Sequence, residues 1–406
     1  MRAAVSAVTA LLMLLALLAS VAVAQEEPTV AYVDVGIGTL RIGGLLQGGL
    51  DYHIGDESLG QGALSGQAAA VDRYDLYEFV LRRARLNFGG QIVSNRVGYF
   101  AQLEFANEAR LLDAEMKFHY IPDTTIRIGR FLPNFTIFMS RSASDLYLIE
   151  YPLMLSNPYA GYYGVLAGAE APGWAASFAP WRQTGLAFAV RTKYIDADVG
   201  VFNGADNGDD LGDNNAGKDF QLSIAGKPPL RGMKIHAGLW YGMPLNRAAS
   251  DAATSGGDFE EKDDTVAIFG GGVEYVADFG LRVFAEFYQR DWQNGDGDAD
   301  PSNVTSSSAY GLVGYNLNPF TGVPVEFLAR YDWFDPDTRN SDDGGKDDEL
   351  AVITGGLNYY IEGNHAMLSI NYIYRSETFE VLQLDEQGTQ DGLANDEVKA
   401  QIQIAF

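Results

Sequence analysis

The chain has 406 residues, with 54 acidic and 28 basic side chains, a formal net charge of −26 and no cysteine. A balance this acidic excludes nucleic acid as an expected partner, because the phosphate backbone attracts basic surfaces. The absence of cysteine excludes a disulfide framework, so burial or a closed hydrogen-bonded sheet must hold the chain together.

The first residues resemble an export signal. Arg2 precedes a short run of leucines, and Ala-Val-Ala at 22–24 has the small residues of a cleavage site. A secretory signal peptide is therefore predicted at 1–24, and an uncleaved anchor is the alternative. A short periplasmic segment is predicted at 25–37. No run of ~18 apolar residues follows, so no transmembrane helix is expected.

From residue 38 onward, apolar and polar side chains alternate with a period of two. In VKAQIQIAF, residues 398–406, the apolar side chains fall on one face and the lysine and glutamines on the other. This alternation indicates β-strands with one apolar and one polar face. About sixteen segments have the length of a membrane-barrel strand. They run approximately over 38–50, 76–91, 96–107, 111–120, 124–132, 182–192, 195–203, 217–227, 232–243, 264–276, 280–291, 306–316, 323–334, 349–361, 364–375 and 395–406.

The links between the predicted strands alternate between short and long. Only the link at 107–110 breaks the rule, being short where a long one is due. Membrane barrels have short periplasmic turns and long extracellular loops, whereas a soluble β-sandwich has no reason to sort its links. The predicted fold for 38–406 is therefore all-β: a transmembrane antiparallel β-barrel of about sixteen strands. Its polar faces would line a water-filled lumen.

Three arginines lie in FVLRRARLNF, residues 79–88. Strict alternation places Arg83 and Arg85 on the lumen side. It places Arg82 on the lipid side, near the strand end, where its side chain can reach the headgroups. For a single lumen arginine the alternatives are plain solvation or a structural partner, such as Glu104 for Arg83.

Most acidic residues are concentrated in the long loops, at 205–215, 258–264, 291–301 and 335–349. Such blocks are ordinarily solvated. The alternative is a surface calcium site, because Asp296, Asp298 and Asp300 alternate as the first ligands of a calcium loop do. The glycine and glutamate that complete such a loop are absent, so this motif is weak.

Five blocks between residues 79 and 151 resemble the phosphate-selective porin O/P family of Gram-negative outer membranes. They are FVLRRARLNFGGQI, YFAQLEF, LLDAEMKFHY, IRIGRFLPNF and SRSASDLYLIE. The resemblance implies a sixteen-stranded barrel, commonly a homotrimer, which conducts anions past wall arginines and an inward-folded third loop. Arg83 and Arg85 match the family's arginines, and 133–181 corresponds to that loop. At Leu132 family members often carry a lysine, so phosphate selectivity is a narrower expectation than anion transport.

The predicted third loop differs in composition from the other long loops. It begins with LPNFTIFMSRSASDLYLIEYP, which is apolar rather than acidic, and this contrast by itself favours a location inside the barrel. The predicted pore-lining and anion-binding residues are Arg83, Arg85, Lys117, Arg127, Arg141, Ser142, Ser144 and Asp145.

The predicted function is passive diffusion of small hydrophilic solutes across the outer membrane, with some preference for anions such as phosphate. A weakly cation-selective or non-selective pore is the alternative, because acidic loops oppose anion entry within a Debye length of ~10 Å. A surface-binding protein or an enzyme is the other class. No G-x-S-x-G, H-E-x-x-H or G-K-[ST] motif supports an enzyme, and the four histidines are scattered. The expected partners are outer-membrane lipid, lipopolysaccharide and small anionic solutes, without a cofactor.

Overall fold

A computed structural model describes residues 33–34, 36, 38–54, 76–93, 96–155, 178, 181–204, 217–243, 265–293, 303–335, 338, 349–377 and 396–406. The predicted signal peptide and most of the predicted periplasmic segment lie outside the described residues. So do Asp296, Asp298 and Asp300 of the weak calcium motif.

Sixteen long strands follow a two-residue strand, β1 (Val33–Asp34). They are β2 (Thr39–His53), β3 (Leu76–Ile92), β4 (Val97–Glu104), β5 (Arg110–Phe118), β6 (Thr124–Phe131), β7 (Gln183–Arg191), β8 (Ile195–Phe202), β9 (Asp219–Gly226), β10 (Met233–Gly242), β11 (Thr265–Val276), β12 (Leu281–Gln293), β13 (Val304–Asn316), β14 (Val325–Asp335), β15 (Leu350–Glu362), β16 (Ala366–Glu377) and β17 (Glu397–Ala405). Each of β2–β17 pairs antiparallel with the next, and β17 pairs with β2. The sheet is therefore closed, and the predicted sixteen-stranded antiparallel barrel is confirmed.

Closure satisfies the backbone of every strand without a free sheet edge. At one end of the barrel, here the turn end, successive strands are joined by tight turns. The turn between β11 and β12 ends at Gly280, whose φ of +95° suits glycine. A Cβ there would lie 2.2 Å from the carbonyl oxygen of Asn316. The strand ends that the long links join lie at the opposite end, the loop end, as the alternation of link lengths predicted.

The side chains alternate between an apolar outer face and a largely polar inner face. Outward residues such as Phe79, Phe327 and Ile402 are 89%, 51% and 56% exposed, whereas inward Glu326 and Asn371 are fully buried. This arrangement is the reverse of a water-soluble protein and suits a barrel surrounded by lipid.

A β-bulge in β3 corrects the predicted position of Arg82. Gln47 of β2 lies opposite Arg83, but its neighbour Gly48 lies opposite Leu81, so Arg82 is an extra residue. Its guanidinium binds the carboxylates of Asp51 and Glu150 at 2.7 and 2.8 Å. The prediction that Arg82 faces lipid is therefore wrong, because strict alternation assumes that no residue is inserted.

The link between β6 and β7, here called loop 3, carries two short 3-10 turns, Ala143–Asp145 and Leu153–Leu155. Its residues 132–155 lie against inward side chains on several sides of the barrel. Asn358 of β15 donates to the carbonyl of Tyr147 at 2.7 Å, and Ser223 of β9 donates to that of Asn134 at 2.6 Å. Contacts to walls this far apart in the sheet place 132–155 inside the barrel.

Aromatic side chains form the core of this packing. Phe135 contacts the rings of Trp240 and Tyr288, at centroid distances of 6.1 and 5.2 Å, and Phe202 stacks on Trp240 at 5.2 Å. These four rings are buried. They form what is here called the aromatic cluster, between loop 3 and strands β8–β12. The only α-helical turn among the described residues is Asn318–Thr321. None of the described helices is long and apolar enough to span a membrane.

Candidate functional site in the barrel lumen

Loop 3 is attached to much of the inner wall by polar contacts. Asn134 donates to Asp198 of β8 at 3.0 Å, and the backbone N–H of Ile149 donates to Asn371 of β16 at 2.8 Å. Near the turn end, Gln403 of β17 donates to the carbonyl of Ser144 at 3.0 Å. The inward faces of β3–β6, with Arg182 just before β7, carry a separate group of charged side chains.

This group is here called the polar strip. It contains the arginines and lysine Arg83, Arg85, Lys117, Arg127 and Arg182, the carboxylates Glu104, Asp113 and Glu115, and the amides Asn87 and Gln102. Arg85 binds Glu104 at 2.8 Å, Arg182 binds Asp113 at 3.0 Å, and Arg127 binds Glu115 at 2.7 Å. Every carboxylate of the strip is therefore paired with an arginine.

Arg83 lies between the strip and loop 3. It donates to Gln47 at 2.6 Å, and its guanidinium lies 5.4 Å from the ring of Tyr151 on loop 3. The amide of Gln47 donates in turn to the carbonyl of Ala143. The suggested pair between Arg83 and Glu104 is wrong, because Arg85 occupies that carboxylate. Arg83 makes no ion pair within the described part of the chain.

Lys117 and Arg127 lie further toward the turn end, and both contact Glu115. Lys117 is 3.1 Å from this carboxylate and its side chain remains 35% exposed, whereas that of Arg127 is 14% exposed. Arg127 also lies 4.0 Å from the ring centroid of Phe131. Of these two cations, Lys117 is therefore the more accessible to an ion in the lumen.

The four predicted loop residues lie within 141–145 of loop 3, a segment that extends from the wall at β11 to the wall at β17 and β2. Arg141 binds Glu274 of β11 at 2.7 Å and lies over the rings of Tyr147 and Phe284. The hydroxyl of Ser142 accepts hydrogen bonds from both the N–H and the hydroxyl of Ser144. The ion pair of Arg141 joins loop 3 to the wall, whereas the serine contacts lie within the loop. A role of these residues in ion binding stays a prediction.

Asp145 reaches the turn between β15 and β16. Its carboxylate accepts a hydrogen bond from the side-chain amide of Asn364 at 2.8 Å. Loop 3 therefore extends from its origin at the loop end of β6 to the turn end of the barrel. That this segment forms the constriction also stays a prediction.

A charge cluster that the sequence did not predict attaches loop 3 near the loop end. The carboxylate of Glu150 forms ion pairs with Arg82 at 2.8 Å and with Lys399 at 2.9 Å. Lys399 also binds Glu397 at 3.0 Å. Burial opposes ionisation of Glu150. Lys399 and Arg82 outweigh that effect and hold the pKa of this loop carboxyl below its ordinary value.

Arg182 was also missed by the sequence analysis. Alternation along β7 assigns it to the outer face, but it precedes the first strand residue, Gln183, and its side chain turns inward. Among the described residues, no group of three or more acidic or histidine side chains could hold a metal ion.

The comparison with protein families decides what kind of protein this is. The family described as phosphate-selective porin O and P matches residues 66–406. The chain belongs to this family. The predicted family resemblance is thereby confirmed, and the barrel is an outer-membrane porin.

Solved structures show the same fold at low sequence identity. An anion-selective porin from Comamonas acidovorans is 14% identical, with a TM-score of 0.59 over 91% of this chain and 100% of that one. The outer-membrane channel DcaP of Acinetobacter baumannii is 11% identical, with a TM-score of 0.58 over 93% and 100%. The trimer form of Vibrio cholerae OmpT is 13% identical, with a TM-score of 0.54 over 91% and 100%. A search of curated proteins gave no match.

The family and the fold together identify an outer-membrane channel. The lumen supplies the parts that a channel needs: a closed wall, inward polar side chains, and an internal loop attached to that wall.

Proposed function

We propose that this porin passes small anions in preference to cations, phosphate among them, and that ions move along the polar strip. The single observation that supports this proposal is the charge of the strip. Five cationic side chains stand against three carboxylates, and each carboxylate is within 3.1 Å of a cation.

The ion pairs decide which charges an ion in the lumen meets. Arg85, Arg127 and Arg182 are each neutralised by a carboxylate, so the excess lies with Arg83 and Lys117. A unit charge at ~5 Å in water attracts an anion by about 0.8 kcal/mol and repels a cation by the same amount, a difference of about 1.7 kcal/mol at each of the two cations. This energy corresponds to a preference on the order of tenfold for anions over cations.

The paired arginines matter for phosphate in particular. Arginine presents N–H groups in a planar fork that fits phosphate and carboxylate oxygens. Arg85 lies within electrostatic range of Arg83 and Arg182, so three guanidinium groups are concentrated along one part of the strip. An anion can exchange its hydration water for such donors and still leave, because the carboxylates weaken each site.

The test is the reversal potential of single channels in a KCl gradient. The wild-type chain should favour chloride. The double variant Arg83→Gln and Lys117→Gln leaves three cations against three carboxylates, and its preference should fall to near unity. Inorganic phosphate added to chloride should reduce the wild-type current more than that of the variant.

A matched control removes two cations outside the strip. Lys193 and Arg231 lie in turns at the turn end, and Arg231 is 87% exposed beside Asp278. Replacing both by glutamine should leave the reversal potential unchanged. Cation preference in the wild type, or an equal shift in the test and control variants, would contradict the proposal. Lys117→Gln alone serves if the double variant does not fold.

We also propose that the porin is a homotrimer surrounded by outer-membrane lipid and lipopolysaccharide. The support is the family, the trimer form of the Vibrio cholerae neighbour, and the exposed apolar outer face of the barrel. Light scattering on detergent-purified protein, corrected for bound detergent, should give three chains per particle. A monomer under conditions that preserve channel activity would contradict the trimer.

A further inference from the structure

A recess of about 290 Å³ lies between the first part of loop 3 and the wall of β7–β11. Thr136 and Ser140 line it from the loop, and Arg191, Ala225 and Lys234 line it from the wall. A space of this size is at the lower end of small-molecule sites and suits a small solute.

The recess opens toward the turn end and not toward the loop end. Arg191 is the last residue of β7 and Lys234 the second of β10, so both lie beside the turns. Further along β10 toward the loop end, Trp240 is buried in the aromatic cluster with Phe202 and Phe135. Phe135 also packs on Gly238, where a Cβ would lie 2.9 Å from the Phe135 carbonyl oxygen. The cluster therefore closes the recess on its loop-end side.

The carboxylates of the recess are occupied. Asp196 binds Lys227 at 2.6 Å, Asp198 binds Arg191 at 2.7 Å, and Glu274 binds Arg141 at 2.7 Å. The side chains of these three carboxylates are 18%, 7% and 13% exposed, respectively.

The cations are more accessible than the carboxylates. Arg191 is 40% exposed, and Lys234 is exposed and forms no ion pair with any described residue. Arg191 and Lys234 line the recess, whereas Lys227 and Arg141 bind its carboxylates from outside the lining. Together these four cations exceed the three carboxylates by one, and Lys234 carries the excess charge. The most exposed charged groups of the recess are therefore its two cations.

We infer that this recess is a second binding site, for a small anion bearing carboxylate or phosphate groups, reached from the turn end and lying off the path through the barrel. Lys234 and Arg191 provide its charge, and the hydroxyl of Ser140 provides a neutral hydrogen-bonding group. In an outer-membrane barrel the turn end faces the periplasm, so the site would hold anions on that side. The inference does not depend on the ion preference of the polar strip.

The experiment uses a single introduced cysteine. Because the natural chain has no cysteine, a thiol reagent can modify only this position. Ala225→Cys places a thiol on the recess wall without removing a side-chain hydrogen bond. Ala225 lies next to the last residue of β9, near the turn-end mouth of the lumen, so a charged group attached there should change the channel current. This change is followed after adding a thiol reagent to either side of a planar bilayer. A negatively charged methanethiosulfonate should react faster than a positively charged one, and only from the turn-end side. Inorganic phosphate should slow the negatively charged reagent.

Adding Lys234→Gln should reduce the rate of the negatively charged reagent by about three- to tenfold, the Coulomb factor for a unit charge at ~6 Å in a wetted site. It should also abolish protection by phosphate. Two controls accompany this variant. Lys193→Gln removes a nearby exposed cation outside the recess and should have no effect, and Asn87→Cys in the polar strip should react from both sides regardless of Lys234.

Three results would overturn the inference. They are equal rates for the two reagents, no effect of Lys234→Gln, and equal access to the thiol from both sides of the membrane. Ser140→Cys provides a second reporter if Ala225→Cys does not fold. Failure of the polar strip as an anion path would show in the reversal potential and would leave these rates unchanged.

Discussion

Arg330 is the residue whose replacement should detach loop 3 most effectively. It is 4% exposed and donates to the carbonyls of Glu150 and Tyr151 on loop 3 at 2.9 and 3.0 Å. It also binds Asp332 at 2.6 Å, and Asp332 accepts the backbone N–H of Leu153 at 2.9 Å. One guanidinium therefore supports three backbone attachments of the loop between residues 150 and 153.

The cost of Arg330→Met follows from these contacts. Breaking a buried ion pair by removing one partner costs about 3–5 kcal/mol, because the other charge is left unpaired. The two carbonyl contacts contribute within that range, as hydrogen bonds from a charged donor. The strand ladder of the barrel uses none of these groups, so the loss should fall on the attachment of loop 3. At about 1.4 kcal/mol per factor of ten, the detached population should rise on the order of 10²–10³-fold.

A single buried cysteine measures this population. Met154 on loop 3 is 1% exposed, and in the Met154→Cys background a small thiol reagent can react only when the segment opens. When closing is fast compared with the reaction, the rate follows the open population. Arg330→Met should therefore accelerate the reaction by the same factor. Single channels should show larger current fluctuations.

The double variant Arg330→Met with Asp332→Asn separates the two contributions. An amide oxygen can still accept from Leu153 and leaves no unpaired charge, so the double variant should react more slowly than Arg330→Met alone. An unchanged rate of thiol modification in Arg330→Met would contradict the assigned role of Arg330. A double variant that reacts at least as fast as the single variant would show that the unpaired Asp332 is not the source of the loss.

Two further predictions concern the attachment of loop 3, and a third concerns the orientation of Arg82 on β3. The lowered pKa of Glu150 means that its attachment is complete above the ordinary carboxyl value and is lost as pH falls through the lowered one. Current fluctuations should thus be constant from pH 7 to about 5 and rise below about 4.5, and Glu150→Gln should remove that dependence. Phe135→Ala should lower the free energy of unfolding by about 3–5 kcal/mol, measured by thermal denaturation. It should also allow a thiol reagent added at the loop end to reach Ala225→Cys. Arg82→Cys should react with a charged, membrane-impermeant thiol reagent, whereas Leu81→Cys should not; the reverse result would return Arg82 to the lipid side.

Much of the barrel could be predicted from the sequence because each strand is recognised from the pattern of its own successive residues. Alternation depends only on successive residues, and lipid outside with water inside enforces it in every strand. The bulge in β3 is the feature for which the prediction from strict alternation was wrong. Tyr77, Phe79 and Leu81 occupy odd positions on the outer face, whereas Ala84, Leu86 and Phe88 occupy even ones. This change of phase was present in the sequence, and it indicated that one residue between Leu81 and Ala84 had to be inserted.

The attachments of loop 3 could not be predicted in the same way. Arg141 and Glu274 are 133 positions apart, and Glu150 and Lys399 are 249 positions apart. Neither alternation nor composition carries information about such pairs, which form only after the barrel closes. The apolar start of loop 3 did favour a location inside the barrel, because an apolar segment gains free energy by leaving water. Which wall it would cover depends on the aromatic residues of β8–β12 taken together.

The arginines of the lumen have two roles, and this division reconciles an acidic chain with the proposed preference for anions. Arg141, Arg282 and Arg330 bind carboxylates and loop 3 on the covered wall, whereas the polar strip keeps two cations in excess. Most of the acidic excess belongs to the predicted extracellular loops, whose field is screened over ~10 Å at 0.1 M salt and ~3 Å at 1 M. An anion meets the cations of the strip at contact distance, where salt screens far less. The loops should therefore oppose entry mainly at low ionic strength, and the anion preference should increase as salt is added, the reverse of a pore whose selectivity comes from charges at its mouth.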